Sequence, residues 1–168
     1  MSGRLVVPTL SVVLSVGLAA APPLRAQSAV AVDAGVATLG DGRDAIALFE
    51  SGVRFSSLKP GHLGADFRIA TFPQALTAGV FAFGADLDAV LVIPLGERVY
   101  ATPRAGVSVI GGVSGAGAGG VPGVNYGFGL VARMNDPLAL RIDYSHFFYP
   151  GDPAVGASSF SVGIAWVH

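Results

Sequence analysis

Residues 138–146 read Leu-Ala-Leu-Arg-Ile-Asp-Tyr-Ser-His. Apart from Ala139, the apolar side chains have even numbers, whereas Arg141 and Asp143 have odd ones. Successive side chains of a β-strand point to opposite faces of its sheet. The pattern therefore predicts a strand with one apolar face and one ionic face.

The same alternation recurs along the chain, and turn residues such as Gly40 separate the segments. The sequence leaves open whether the fourth segment begins a few residues earlier, because Phe81 and Phe83 share the parity of its apolar side chains. Pro103 cannot donate to a ladder and predicts a bulge in the fifth segment. We predict an all-β fold of eight antiparallel up-and-down strands at residues 28–39, 45–56, 62–71, 84–93, 98–110, 124–133, 138–146 and 158–168.

Ionisable side chains share the parity opposite to the apolar set throughout these segments. Five arginines and six acids are close to charge balance, and unpaired buried charge is costly. We therefore predict a paired network in the barrel lumen, formed by Asp33, Glu50, Arg54, Asp66, Arg68, Asp86, Asp88, Arg104, Arg133, Arg141 and Asp143.

Composition indicates which face meets water. A soluble lipocalin-like barrel would turn the apolar face inward, and a membrane barrel would turn it outward. Charged residues make up only 12% of the chain, about half the usual share for a soluble domain, and the mean hydropathy is +0.63. No apolar run after the first thirty residues reaches the roughly 18 residues that a membrane helix needs. The composition therefore predicts a transmembrane β-barrel with an ionic interior.

Several function classes are disfavoured by charge and by cysteine content. The net charge of −1 gives no support for nucleic-acid binding. With no cysteine, the chain cannot form disulfides, thiolate metal sites or a lipid anchor on cysteine. We expect no cofactor and no bound metal.

The N-terminus has the pattern of a secretory signal peptide, which we predict over residues 1–26. Arg4 precedes an apolar stretch that ends at Pro22, and Ala26 is the expected residue before the cut. The barrel domain would then span residues 27–168. An uncleaved N-terminal anchor is the alternative, although the apolar run is short.

The predicted connections differ in length at the two ends of the barrel. With both termini in the periplasm, residues 40–44, 72–83, 111–123 and 147–157 face outward. The periplasmic turns at 57–61, 94–97 and 134–137 are short, as is typical of bacterial barrels. Aromatic side chains are predicted in two interfacial belts. The outer belt would hold Phe72, Phe81, Phe83, Phe147, Phe148, Tyr149 and Phe160, and the periplasmic belt Phe55 and Trp166.

The last strand, residues 160–168, resembles the C-terminal assembly signal of outer-membrane barrels, although it ends in His168 rather than the usual aromatic residue. Residues 140–146 look like a penultimate strand of this class. The mature chain is similar to the small eight-stranded barrels of the OmpA/OmpX and opacity-protein type. That resemblance implies residence in the outer-membrane lipid and a transient partner in the barrel-assembly machinery.

The three histidines, His62, His146 and His168, are the candidate catalytic bases of the chain. Lipid A deacylases of similar barrel fold carry a His-x-Ser pair, but residue 148 is phenylalanine here. Ser145 precedes His146 and should point to the opposite face. No HExxH, GxSxG or phosphate-loop pattern is present. We therefore expect no enzymatic activity.

Eight strands leave room in the lumen only for side chains or a very small ligand. The expected function is a structural or surface-interaction role in the outer membrane, and not that of a general-diffusion porin. The alternative is a small channel or transporter for a small or apolar ligand.

Overall fold

A computed structural model describes residues 28–40, 46–150 and 155–168. The predicted signal peptide and its cleavage site lie outside the described residues. A short 3₁₀ helix, Pro73–Ala78, precedes the fourth long strand, and the two-residue strand Ile93–Pro94 continues that strand beyond Val92. No helix within the described ranges is long and apolar enough to cross a membrane. The strands are β1 (Ser28–Leu39), β2 (Ile46–Ser57), β3 (Leu63–Thr71), β4 (Phe81–Leu91), β5 (Val99–Ser114), β6 (Gly117–Asn135), β7 (Leu138–Tyr149) and β8 (Val155–Val167).

The eight strands form a closed antiparallel barrel, which confirms the predicted fold class. Each strand pairs with the next along the chain, and β8 pairs back onto β1. At the seam, the Ser28 backbone N–H donates to the His168 carbonyl (3.2 Å), and the His168 N–H donates back (2.8 Å). Closure gives every strand two partners, which an apolar solvent requires because it offers the backbone no hydrogen bonds. The end of the barrel where these residues meet is called the terminal end, and the opposite end the distal end.

Apart from the end of β5 and the start of β6, the predicted strand bounds lie within three residues of those observed. The predicted bulge at Pro103 is wrong. The β5–β6 register runs without a shift through Pro103, which stands opposite Phe128. The pairing of β4 with β5 is interrupted between Val90 and Ile93, where the register places Leu91 opposite Pro103. The register shift in the barrel occurs between β6 and β7, at Arg133 to Asn135.

The glycine-rich segment 111–123, predicted as a loop, is mostly paired strand. Residues of β5 and β6 pair one by one up to Ser114 and Gly117, so the turn contains only Gly115 and Ala116. Gly117 has a φ of 134°, a conformation that glycine tolerates and other residues rarely adopt. The fourth predicted outer loop also shortens, because β7 extends to Tyr149 and β8 begins at Val155.

The apolar side chains point out of the barrel, as the parity predicted. Leu87 and Val107, at the middle of β4 and β5, are 55% and 56% exposed. An exterior of this kind is stable in lipid and would be an aggregation-prone surface in water.

Aromatic side chains do not all lie in the predicted belts. Phe72, Phe147 and Tyr149 are buried, and they line the distal lumen. Residues 147 and 149 have the inward parity of β7, so that part of the prediction is wrong. The other outer-belt residues are exposed except for the half-buried Phe83, and the periplasmic-belt residues Phe55 and Trp166 are exposed as well.

Candidate functional site

Three layers of side chains fill the lumen, and the middle layer is ionic. The distal layer is an apolar group of Leu39, Ile110, Phe147, Tyr149 and Ala157. The terminal layer is a second apolar group, formed by Ala29, Ala31, Leu58, Val92, Tyr100, Val131, Ala139, Ala165 and Val167. The ionic layer between them is the candidate site, because it holds the polar chemistry of the interior.

Arg68 on β3 forms the centre of the first part of this layer. Its Nη2 lies 2.7 Å from Asp33 Oδ1 and 2.8 Å from Glu50 Oε1. Its Nε lies 3.2 Å from Asp33 Oδ1. Ser159 on β8 donates a hydrogen bond to the same Glu50 oxygen. One guanidinium thus joins β1, β2 and β3, and Glu50 extends the contact to β8.

Arg141 on β7 crosses the lumen to the opposite wall. Its Nη2 lies 2.8 Å from Asp66 Oδ2 on β3, four strands away around the barrel. Its Nε donates to Asp143 Oδ2 (2.6 Å), and its Nη1 donates to Ser56 Oγ (2.7 Å). Arg54 Nη1 meets the same Asp66 oxygen at 2.9 Å. The side chain of Arg141 therefore occupies the axis of the barrel.

Arg104 on β5 completes the layer. It forms an ion pair with Asp143 and donates to Ser145 Oγ at 2.8 Å. Its Nε is 3.6 Å from Asp88 Oδ2. The contacts around Arg68 and those around Arg141 are linked through Arg54, whose Nε lies 3.8 Å from Asp33 Oδ2. The ion pairs thus run without a break from Glu50 to Asp88.

Nine of the eleven sequence-predicted residues belong to this network, and two do not. Asp86 is buried (8% exposed) but takes part in none of the ion pairs formed by the described residues. Arg133 lies at the terminal rim, where its side chain is 27% exposed and 4.0 Å from the exposed Asp136. Its parity is inward, but its place near the end of β6 takes it out of the lumen. The predicted balance of five arginines and six acids becomes four arginines and six acids.

Like charges stand side by side on the barrel wall. Arg54 faces Arg68 in the β2–β3 register, and Asp66 faces Asp88 in the β3–β4 register. Like charges directly opposite one another destabilise a sheet. Here most of these side chains meet opposite charges elsewhere in the layer. Such an arrangement makes the loss of a single member costly, because its partner is left as an uncompensated buried charge.

Glycines leave the space that the ionic side chains occupy. A Cβ added at Gly129 would lie 2.5 Å from Thr102 Oγ1 and 3.3 Å from Arg104 Nη1. One added at Gly106 would lie 2.5 Å from Asp88 Oδ1. These glycines on the inward face are therefore needed because a larger residue would collide with the side chains of the ionic layer.

The filled layers leave little open volume. Each of the four lumen arginines is at most 5% exposed, which a continuous water-filled path along the axis would not allow. A cavity of about 30 Å³ lies in the distal half, bounded by Glu50, Arg68, Asp86 and the distal apolar layer. That volume holds about one or two water molecules.

A histidine–serine pair lies on the outer surface, and the sequence did not reveal it. His146 Nδ1 is 3.0 Å from Ser158 Oγ, its register partner on β8. The ring of Tyr126 packs against the imidazole, with centroids 5.4 Å apart. Ser145 points into the lumen, as its parity predicted, and accepts a hydrogen bond from Arg104. In the described part of the chain, no hydrogen bond joins His146 to a carboxylate that could orient it as a base.

Serines of the network were also missed by sequence reasoning. Ser56, Ser145 and Ser159 all have the inward parity of their strands and all bond to charged partners. The predicted network contained ionisable residues alone. The same parity rule, extended to hydroxyls, would have included them.

No family model matches the chain, and no curated protein matches its sequence. Solved structures of the same shape do exist. Neisserial surface protein A has a TM-score of 0.62 at 12% identity over 83% of this chain and 96% of its own. The N-terminal β-barrel domain of OprF from Pseudomonas aeruginosa has the same score and identity over 85% and 99%. Ail, the attachment invasion locus protein of Yersinia pestis, has a TM-score of 0.58 at 13% identity over 85% and 99%. The chain therefore has the fold of the small eight-stranded outer-membrane barrels.

Proposed function

We propose that this chain is an outer-membrane barrel with a structural or surface-interaction role, and that it is neither a general-diffusion porin nor an enzyme. The observation that carries the proposal is the contact of Arg141 with Asp66 across the lumen. A side chain fixed to both walls blocks the axis of the barrel, so the lumen is not suited to conduction. Its ion pairs instead hold the strands together. Interaction is then left to the rims and to the outer wall.

At the distal rim, the paired ends of β5 and β6 form an uncharged hairpin, residues 108–123, which is called the distal arm. Its β6 strand pairs with β5 as far as Gly117, whereas the pairing of β6 with β7 ends at Val124. Residues 117–123 therefore present an open strand edge among the described residues. Open edges accept partner strands through backbone hydrogen bonds. Ail has been crystallised in complex with the heparin analogue sucrose octasulfate. The distal arm contains no basic residue, so a polyanion is not the partner that we propose for it.

The experiment that tests this function combines conductance with arm shortening. Residues 111–120 are replaced by Asn-Gly, a two-residue turn that joins the paired residues Ile110 and Val121. Wild type should show no stable large conductance in planar bilayers. Vesicles bearing it should adhere to surfaces coated with protein or glycan, and the shortened variant should lose most of that adhesion.

Gly115→Ala serves as the matched control, because its added Cβ meets no atom within 4 Å. It alters the arm without shortening it and should adhere like wild type. Stable large conductance in wild type, or equal adhesion by the shortened variant, would contradict the proposal. The alternative of a small channel or carrier gains little support from a cavity of about 30 Å³, which is smaller than most apolar ligands.

The absence of enzymatic activity is proposed on the geometry of His146 and Ser158, which lack an orienting carboxylate among the described contacts. Lipid deacylation by the purified barrel should be undetectable. A measurable rate that Ser158→Ala abolishes would overturn this part of the proposal.

Placement in the cell is proposed from the fold and the N-terminal pattern together. Residues 1–26 would be removed after Ala26 during export, and the barrel-assembly machinery would insert the remainder into outer-membrane lipid. Both termini would face the periplasm, so the distal arm would face outward. Nucleic acid is not among the proposed partners, since the net charge is only −1.

A further inference from the structure

The wall formed by β4, β5 and β6 contains buried oxygen atoms that have no partner. None of Asp88 Oδ1, Ser108 Oγ and Asn125 Oδ1 has a hydrogen-bond partner of good geometry among the described residues, although Asn125 lies beside the Asp88 carboxylate and Ser108 beside the Tyr149 hydroxyl. Their residues are 5%, 5% and 6% exposed. Buried polar atoms of native proteins are almost always satisfied, so each such group calls for an explanation.

These oxygen atoms belong to residues that are neighbours on the inner face. Asp86 pairs with Ser108, and Asp88 pairs with Gly106, which in turn pairs with Asn125. A Cβ added at Gly106 would lie 2.5 Å from Asp88 Oδ1. That carboxylate oxygen therefore lies over the glycine, on the side from which Asn125 projects.

The local charge is negative and is only partly compensated. Across the described lumen, six carboxylates meet four arginines. Asp86 takes part in none of the ion pairs, and Asp88 has only the longer contact of 3.6 Å with Arg104. The neighbouring Arg68 is directed to Asp33 and Glu50 instead. Of the two carboxylates without a close arginine, Asp88 thus carries an unpartnered oxygen atom itself, and Asp86 stands opposite the unpartnered hydroxyl of Ser108.

In contrast to the expectation from the sequence, the geometry points to a binding site for a single hard divalent cation, of the Ca²⁺ class, ligated by Asp86, Asp88, Ser108 and Asn125. Carboxylate, amide and hydroxyl oxygens are the ligands that such a cation prefers, and Ca²⁺ takes 6–8 of them. The described chain has no cluster of three or more histidine, cysteine and acidic side chains suited to a metal. The site instead has two carboxylates and two neutral oxygen ligands. Asp86 also borders the distal cavity, from which water can complete the coordination.

The cation balances the interior in a way that water alone cannot. Two positive charges match the excess of two carboxylates, whereas bound water would satisfy hydrogen bonds and leave the charge. Because the apolar layers close the lumen at both ends, the ion would enter most readily while the barrel folds. The experiment therefore introduces it during refolding.

The full barrel is refolded into detergent with millimolar CaCl₂ or with EDTA, and free metal is removed by gel filtration. Elemental analysis should find a single Ca²⁺ per barrel. The midpoint of the heat-induced gel shift should be at least about 2 °C higher after refolding with Ca²⁺. Asp88→Asn should abolish both the bound metal and the shift.

Ser108→Ala and Asn125→Ala test the site without touching the ion pairs, in case Asp88→Asn fails to fold. Each removes one neutral oxygen ligand and should weaken Ca²⁺ binding by about tenfold or more. Asp136→Asn is the matched control, because Asp136 is exposed at the rim. This variant should bind Ca²⁺ as wild type does. The proposed site would be overturned if the wild-type barrel retained no Ca²⁺. It would also be overturned if wild type and all three site variants retained Ca²⁺ equally. Neither result would bear on the proposed surface role.

Discussion

Arg141→Leu is expected to lower the free energy of unfolding by about 3–5 kcal/mol, the usual cost of removing one partner from a buried ion pair. Arg141 contacts Asp66, Asp143 and Ser56 at distances between 2.6 and 2.8 Å. Leucine fills part of the volume but returns none of the positive charge. Asp143 keeps Arg104, and Asp66 keeps Arg54, so each carboxylate retains one arginine and loses the donors that Arg141 supplied. Urea titration of the barrel in lipid vesicles measures the loss.

Two further variants separate charge from packing. Arg133→Leu removes the same side chain at the rim, where Arg133 is 4.0 Å from an exposed carboxylate, and should change stability by less than about 0.5 kcal/mol. Adding Asp143→Leu to Arg141→Leu should recover part of the loss, because it lowers the excess of carboxylates over arginines in the lumen again. A cost under about 1 kcal/mol for Arg141→Leu would contradict the expectation that the folded barrel depends on charge compensation by Arg141.

Ile142→Arg, one residue further along β7, should cost about 2–4 kcal/mol for the opposite reason. Ile142 lies between Leu130 and Val162 on the outer face, at the level of the ionic layer. An arginine there enters the hydrocarbon, where no carboxylate and little water can meet it. The same urea titration in vesicles measures the effect.

Val113→Arg is the matched control for the outer surface, because Val113 has the outward parity of β5, pairs with the exposed Phe81 and is itself 48% exposed on the distal arm. Near the membrane interface, an arginine costs about 0–1 kcal/mol. Equal effects at the two positions would contradict a lipid-facing position for residue 142. The adjacent positions 141 and 142 thus carry opposite requirements, one for a charge and one against it.

The sequence predicted which side chains point inward, since parity alone assigns a face. It could not predict which arginine meets which acid, because that depends on the register of strands distant in the chain. The contact of Arg141 with Asp66 joins residues 75 positions apart. Arg133 shows the other limit, since parity gives a direction but not a height along the barrel axis.

The loops were the other region where local pattern was insufficient. Glycine-rich residues 111–123 were predicted as a loop because glycine weakens strands. In the structure, pairing with the opposite strand holds them extended, and only residues 115 and 116 turn. His146 and Ser158 could likewise be joined only after the β7–β8 register was known.

Trp166 provides the most direct test of a barrel with apolar side chains in lipid and ions in the lumen. It is the single tryptophan of the chain and is 41% exposed on the outer face of β8, so wild-type fluorescence reports on one position. We predict strong quenching by lipids with brominated acyl chains and little quenching by aqueous iodide. Quenching by iodide but not by brominated lipid would place this face in water and contradict the account.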